Sequence, residues 1–167
     1  DTYRDRYGMN DEQAREAVAA FREYFQPTGI YENEIYPGIE EMLKELQDKG
    51  YFLAMATSKP EAFADIVLRH FQYPWYIKVM AGATMDEGRT NKAEVFSICV
   101  GTDEYFRFVW GCHVGDRSYD VKGAQAMGID SVGVLYGYGS REELEEAGAT
   151  KIAKSVEDLK NILLNWK

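Results

Sequence analysis

Apolar positions along this chain alternate between helical spacing and short uninterrupted runs. After residue 36 the apolar side chains recur at helical intervals, as in Ile39, Met42 and Leu46, and Gly50 supplies a helix stop. An uninterrupted apolar run at 51–56 follows, which is typical of a buried strand. This unit repeats to the end of the chain and predicts alternating helices and parallel strands, an α/β fold.

The same pattern of apolar spacing and helix-capping residues predicts the bounds of the remaining elements. Pro37 is expected to be the first residue of the first helix in this region. Ser155 is expected to cap the last helix, with Asp158 in the capping position and Leu164 at the helix end. The other predicted helices are 60–71, 92–100, 119–127 and 141–147, and the predicted strands are 51–56, 109–114, 129–134 and 151–153.

The first 35 residues follow a different pattern, because no strand is predicted among them. Asn10 can cap a helix over 11–25, and Gln13 completes a capping box. The apolar face of this helix needs a packing partner that the preceding residues scarcely supply. We therefore predict a partial helical subdomain at 1–35 and an α/β core at 36–167. The apolar face consists of Ala14, Val18, Phe21 and Phe25.

Composition narrows the class of protein. The chain has 167 residues, 46% of them hydrophobic and 28% charged, which is typical of a folded domain with a substantial core. A formal net charge of -9 argues against a nucleic-acid surface. No apolar run is long enough to span a membrane and no basic leader precedes an apolar segment, so we expect a cytoplasmic protein. Cys99 and Cys112 form no disulfide framework and lack zinc-like spacing with His70 or His113.

Two carboxylates follow the apolar run that ends at Val114. Asp116 and Asp120 stand four residues apart where this strand gives way to a helix, the place where open α/β sheets bind ligands. Magnesium in proteins takes one or two carboxylates and keeps waters and a phosphate oxygen. The alternative is structural, with Asp116 capping the helix and Asp120 a solvated charge.

Thr57 and Lys92 add two further kinds of chemistry at comparable places. Thr57 ends the predicted strand before a helix, where its hydroxyl could bind a phosphoryl oxygen beside backbone N–H groups. Lys92 begins a predicted helix and could neutralise charge on a transferred group. Each residue alone is most often a cap or a solvated charge. Taken in order, a hydroxyl, an ammonium and two carboxylates predict phosphoryl-transfer chemistry.

The chain resembles the haloacid dehalogenase-like hydrolases, and within them the phosphoglycolate phosphatase-like branch. The resemblance covers nearly the whole chain and is carried by residues 36–39, 56–60, 91–93, 114–117 with Asp120, 123–124 and 133–140. It implies a Rossmann-like three-layer sandwich with a mainly parallel sheet and a mobile helical cap. It also implies a phosphatase that uses Mg²⁺ to hydrolyse a small phosphate monoester such as 2-phosphoglycolate.

The resemblance assigns roles by position. Thr57 matches the hydroxyl that holds the phosphoryl group, and Lys92 matches the catalytic lysine. Ser58 and Lys59 would lie beside the substrate, with Ser58 offering its N–H. Asp116 and Asp120 match the acids that position Mg²⁺.

This sequence differs from the family at the family's first motif. That motif, an Asp-x-Asp-Gly run after the first strand, supplies the nucleophile that becomes an aspartyl phosphate, and this sequence has no such run. We therefore expect a core that lacks its first strand, a gap between the strands carrying Thr57 and Asp116, and an inactive chain. One alternative is a phosphosugar mutase of the same superfamily. The other is an inactive fragment that binds phosphate or Mg²⁺, or that acts through its helical surface as an interaction module. The expected partner is a small phosphorylated metabolite, the protein being a monomer or homodimer.

Overall fold

The computed structural model describes residues 2–84, 92–101 and 111–166. The chain divides into two compact units, Asp1–Glu34 and Ile35–Lys167. The first unit contains helices α1 (Thr2–Tyr7) and α2 (Asp11–Phe25), followed by a single 3₁₀ turn at Gly29–Tyr31.

The predicted capping box at the start of α2 is confirmed. The Asn10 side-chain oxygen accepts hydrogen bonds from the backbone N–H groups of Glu12 and Gln13, at 3.1 and 2.9 Å. The Gln13 side chain returns the contact by accepting the Asn10 N–H at 3.0 Å. Three donors at the helix start are thereby satisfied, which fixes where α2 begins. Phe21 and Phe25 stack further along the helix with ring centroids 5.0 Å apart.

The second unit alternates helices and strands, as the apolar pattern predicts. Among the described residues, neighbouring strands pair in parallel and helices lie between consecutive strands along the chain. The elements are α3 (Ile39–Asp48), β1 (Ala54–Pro60), α4 (Glu61–His70), β2 (Val79–Ala83), α5 (Lys92–Gly101), β3 (Cys112–Gly115), α6 (Ser118–Ala126), β4 (Asp130–Val134), α7 (Arg141–Glu146), β5 (Lys151–Ala153) and α8 (Val156–Leu164).

In the part of the chain that the structure describes, the strands form two sheets. β1 pairs with β2, and β3, β4 and β5 pair in that order. Within the described ranges no ladder joins β1 to β3, so each of these two strands has one edge outside its own sheet. This arrangement is compatible with the gap expected between the strands that carry Thr57 and Asp116. That a strand belongs in the gap stays a prediction.

Helices cover both faces of the three-stranded sheet. On one face, α3 and α8 bury Met42, Leu46 and Leu159 against Val132 of β4, and Cys112 and Val114 of β3 pack beside them. Side chains alternate along a strand, so His113 points to the opposite face, where it meets α6. Under the two-stranded sheet, α5 buries Val95 and Cys99 against Ala81. The fold class is α/β, as predicted.

Four details of the predicted elements are wrong or fall outside the described residues. Pro37 lies in a turn, because Gly38 takes a left-handed conformation (φ 86°) and α3 begins at Ile39. β1 begins three residues later than predicted and continues to Pro60, and it is only partly buried. β2 was not predicted at all. Residues 109 and 110 of the predicted third strand lie outside the described residues.

The described helices include none that combines the length and the apolar character needed to cross a bilayer.

Candidate functional site

The end of β1 leaves the regular ladder at the predicted phosphate-binding residues. Ala56 pairs with Ala81 and Pro60 pairs with Ala83, so three residues of β1 stand opposite one residue of β2. Such an irregularity bends the strand and redirects its side chains. The structure therefore brings Thr57, Ser58 and Lys59 together on one bulge.

Thr57 and Lys59 are linked within this bulge. The Thr57 hydroxyl oxygen accepts the backbone N–H of Lys59 at 3.1 Å, which orients the hydroxyl and leaves its hydrogen available for donation. Ser58, between them, is exposed. Burial lowers the pKa of the Lys59 ammonium, because desolvation disfavours the charged form. A hydroxyl, a backbone amide and a lysine on one short bulge are suited to binding a phosphoryl group.

Asp116 directly follows β3 and is held by a loop from the neighbouring strand. Its Oδ2 accepts the backbone N–H of Tyr138 at 2.7 Å, in the segment that follows β4. Within the described part of the chain, Oδ1 of Asp116 receives no hydrogen bond. One oxygen of this half-buried carboxylate is thus fixed by the protein, while the other is available to a ligand.

Asp120 is more deeply buried than Asp116. It is 5% exposed, and its Oδ2 accepts the backbone N–H of Arg117 at 3.1 Å. Its Oδ1 lies 3.7 Å from Nε2 of His113. Asp120 therefore fixes the turn that carries Asp116, and both acids sit at the start of α6 as the sequence predicts. In the sequence, His113 is considered only as a possible zinc ligand, and its contact with α6 is not predicted. The alternation of side chains along β3 is the signal that could have placed His113 on the face covered by α6.

A second network at the start of α6 was also missed. Glu143 of α7 accepts hydrogen bonds from Arg117 Nε at 2.9 Å and from the backbone N–H of Ser118 at 2.8 Å. The Ser118 N–H and then the Arg117 guanidinium lower the pKa of Glu143. The Arg117 guanidinium carbon lies 5.4 Å from the centre of the Tyr119 ring. No local motif could have revealed this network, since its partners are 25 and 26 residues apart.

Lys92 is the first residue of α5, which packs on β1 and β2. Its side chain lies outside the described residues, so its predicted catalytic role stays a prediction. Thr57 lies within β1, whereas Asp116 directly follows β3, a strand of the other sheet. The helices α5 and α6 that cover these sheets pack against each other.

The donor set of Asp116 and Asp120 fits Mg²⁺ in part. Among the described residues, no group of three or more His, Cys, Asp or Glu side chains could hold a metal ion. A magnesium site with few protein ligands nevertheless suits this cation, which keeps several waters and binds substrate phosphate. The available Oδ1 of Asp116 is a suitable first ligand, and Asp120 supports the turn behind it.

Comparison with known proteins places these residues in context. The family model described as haloacid dehalogenase-like hydrolase matches residues 3–134, and a second, HAD-hydrolase-like model matches residues 111–159. A 5'-nucleotidase of Pseudomonas aeruginosa is 36% identical over 157 residues, which are 94% of this chain and 71% of that protein. The tyrosine-protein kinase PtkA of Mycobacterium tuberculosis is 36% identical over 156 residues, covering 91% of this chain and 53% of the kinase.

More distant relatives include a phosphoglycolate phosphatase of Vibrio vulnificus. It is 27% identical over 157 residues, 93% of this chain and 68% of that protein. Among solved structures, one described as a predicted phosphatase from Clostridium acetobutylicum superposes with a TM-score of 0.88 at 36% identity, covering 98% of this chain and 75% of that one. The chain thus spans between about half and three quarters of these proteins.

Proposed function

The chain belongs to the haloacid dehalogenase-like hydrolase family, and we propose that it forms the phosphate-binding and metal-binding part of a Mg²⁺-dependent phosphatase. The substrate is a small phosphate monoester, with 2-phosphoglycolate as the first candidate. The observation that carries the proposal is the state of the Asp116 carboxylate, which has one oxygen fixed by the Tyr138 N–H and the other available. The similarity to a 5'-nucleotidase favours a nucleoside 5'-monophosphate as a second candidate.

Each residue has a defined task in this proposal. The Thr57 hydroxyl and the Ser58 N–H bind oxygens of the phosphoryl group, and Lys59 and Lys92 offset its negative charge. Asp116, supported by Asp120, would hold Mg²⁺, which when bound supplies positive charge to the phosphoryl oxygens. Fixing these groups before the substrate arrives reduces the reorganisation that accompanies charge development.

The nucleophile is proposed to come from outside these 167 residues, which contain no Asp-x-Asp run. Its carboxylate oxygen would attack phosphorus as the substrate's alkoxide departs and takes up a proton. Water would then hydrolyse the aspartyl phosphate, releasing inorganic phosphate and restoring the carboxylate. Without this covalent route the chain by itself should show no useful turnover, because uncatalysed hydrolysis of phosphate monoesters is extremely slow.

Phosphate release with Mg²⁺ tests the proposal. We would assay 2-phosphoglycolate, a nucleoside 5'-monophosphate and an aryl phosphate with this chain and with a longer polypeptide that adds an upstream strand bearing Asp-x-Asp. The longer polypeptide should release phosphate and its Asp116→Asn variant should not. Turnover by the 167-residue chain that is lost in Asp116→Asn would contradict the external nucleophile.

The fate of the phosphoryl group separates this function from its alternatives. A phosphosugar mutase would return the group to the sugar, so a shifted sugar phosphate would appear with little free phosphate. A fragment that only binds phosphate or Mg²⁺ would show binding without turnover even in the longer polypeptide. Both outcomes can be read from ³¹P spectra of these reactions when a sugar phosphate is included among the substrates.

A further inference from the structure

The segment after β4 approaches Asp116 more closely than side chains would permit. We refer to residues 136–140 as the clamp loop. A Cβ atom added to Gly137 would lie 2.5 Å from Asp116 Oδ2 and 2.7 Å from its Cγ. A Cβ added to Gly139 would overlap the Asp116 carbonyl oxygen and lie 3.1 Å from its carbon. Glycine at both positions lets the loop backbone rest directly on the acid.

Tyr138, which lies between these two glycines, makes a directional contact with Asp116. The Tyr138 N–H donates to Asp116 Oδ2 at 2.7 Å, at the short end of the range for N–H···O hydrogen bonds. Tyr138 as a whole residue is 91% exposed, so its ring makes little contact with the core. The loop therefore acts on Asp116 through its backbone.

The clamp loop is itself anchored at both ends. Tyr136 packs against the core of α3, β4 and α8. Its ring also meets the ring of Tyr36 edge-on, with the two ring centroids 5.1 Å apart. At the other end, the Ser140 hydroxyl accepts the Glu143 N–H at 3.1 Å and caps α7. A loop fixed at both ends can hold its central N–H in one position.

We propose that the clamp loop is a positioning element for the metal ligand, in which the Tyr138 N–H fixes one oxygen of Asp116 and thereby orients the other toward the cation. This inference rests on the proposed function. Hydrogen bonds that orient a metal ligand typically change metal affinity 10–100-fold when they are removed. The clamp loop thus contributes to metal affinity without itself being a ligand.

Mn²⁺ binding, followed through the EPR signal of the free ion, tests this inference on the 167-residue chain. Tyr138→Pro removes the N–H, whereas Tyr138→Ala removes the ring and retains the N–H. Tyr138→Pro should weaken Mn²⁺ binding about 10–100-fold, and the loss should exceed that in Tyr138→Ala by about tenfold. Melting temperatures without metal show whether each variant remains folded.

A glycine pair gives a second comparison that does not depend on proline. Gly139→Ala places a methyl group against Asp116, whereas Gly128→Ala strains a left-handed position (φ 69°) with no atom within 4 Å. Gly139→Ala should weaken Mn²⁺ binding and Gly128→Ala should lower only the melting temperature. Wild-type affinity in folded Tyr138→Pro or Gly139→Ala would overturn the clamp alone. A wild-type chain that binds no Mn²⁺ would overturn the proposed metal site and the clamp with it.

Discussion

Glu143 joins α7 to the start of α6, because its Oε1 accepts hydrogen bonds from Arg117 Nε at 2.9 Å and from the Ser118 backbone N–H at 2.8 Å. Both bonds stabilise its ionised form, so the pKa of Glu143 is lower in the folded chain than in the unfolded one. A lowered carboxyl pKa contributes stability above the unfolded value of about 4.3, and the contribution is lost as the pH falls through the folded value.

Glu143→Gln should therefore lower the melting temperature at pH 7, and the difference from wild type should shrink as the pH falls from about 4.3 toward 3. Thermal unfolding of both proteins across this range checks it. Glu146→Gln, at an exposed position of the same helix, is the matched control. A difference that stays constant down to pH 3 would show that charge at Glu143 is not its source.

Leu159 of α8 is 2% exposed in the cluster formed with α3 and β4. Leu159→Ala should reduce the free energy of unfolding by about 2–5 kcal/mol, through lost transfer free energy and the cavity left behind. Ile66→Ala, at a site 36% exposed, should cost less than about 1 kcal/mol. Urea denaturation measures both. Equal losses would contradict the core assigned to α3, β4 and α8.

The Asn10 capping box predicts a local effect in the first unit. Asn10→Ala should cost about 1 kcal/mol and raise amide hydrogen exchange at Glu12 and Gln13, whose N–H groups the Asn10 side chain accepts. Asn10→Ser should retain most of the protection because serine also caps well. Unchanged exchange in Asn10→Ala would mean that the cap does not hold the start of α2.

The two thiols should be unreactive in the folded chain. Cys99 is buried and its Sγ lies 3.4 Å from the Met55 carbonyl oxygen. Burial raises the pKa of Cys112 to about 11, so little of this cysteine would be the reactive thiolate at pH 8. Titration with a disulfide reagent at pH 8 should detect the two thiols only after denaturation. Rapid modification of either thiol in the native chain would contradict the burial of Cys99 in α5 and of Cys112 in β3.

The sequence predicted what local chemistry determines. Asn10, Ser155 and Gly50 mark helix ends through hydrogen bonds and dihedral angles that involve only a few neighbouring residues, and these predictions hold. β2 escaped prediction because Val79–Ala83 consists largely of small residues. The Pro37 prediction failed because Gly38 takes the left-handed conformation and delays the helix.

The same distinction applies to the candidate site. Asp116 and Thr57 could be predicted because they follow strand patterns, where α/β sheets bind ligands. The Tyr138 N–H that holds Asp116 could not, because a backbone donor has no residue type and acts across 22 residues. The contact between His113 and Asp120 likewise depends on how α6 packs on β3.

We propose that Thr57 and Asp116 belong to one phosphate and Mg²⁺ site. Calorimetric titration of inorganic phosphate into the 167-residue chain, with and without Mg²⁺, tests this proposal most directly. We predict that Mg²⁺ strengthens phosphate binding and that Asp116→Asn removes this effect. Thr57→Val should weaken binding about tenfold through loss of one hydrogen bond, while Thr28→Val, exposed in the first unit, should not. Phosphate affinity that is the same with and without Mg²⁺ would contradict a shared site for phosphate and Mg²⁺.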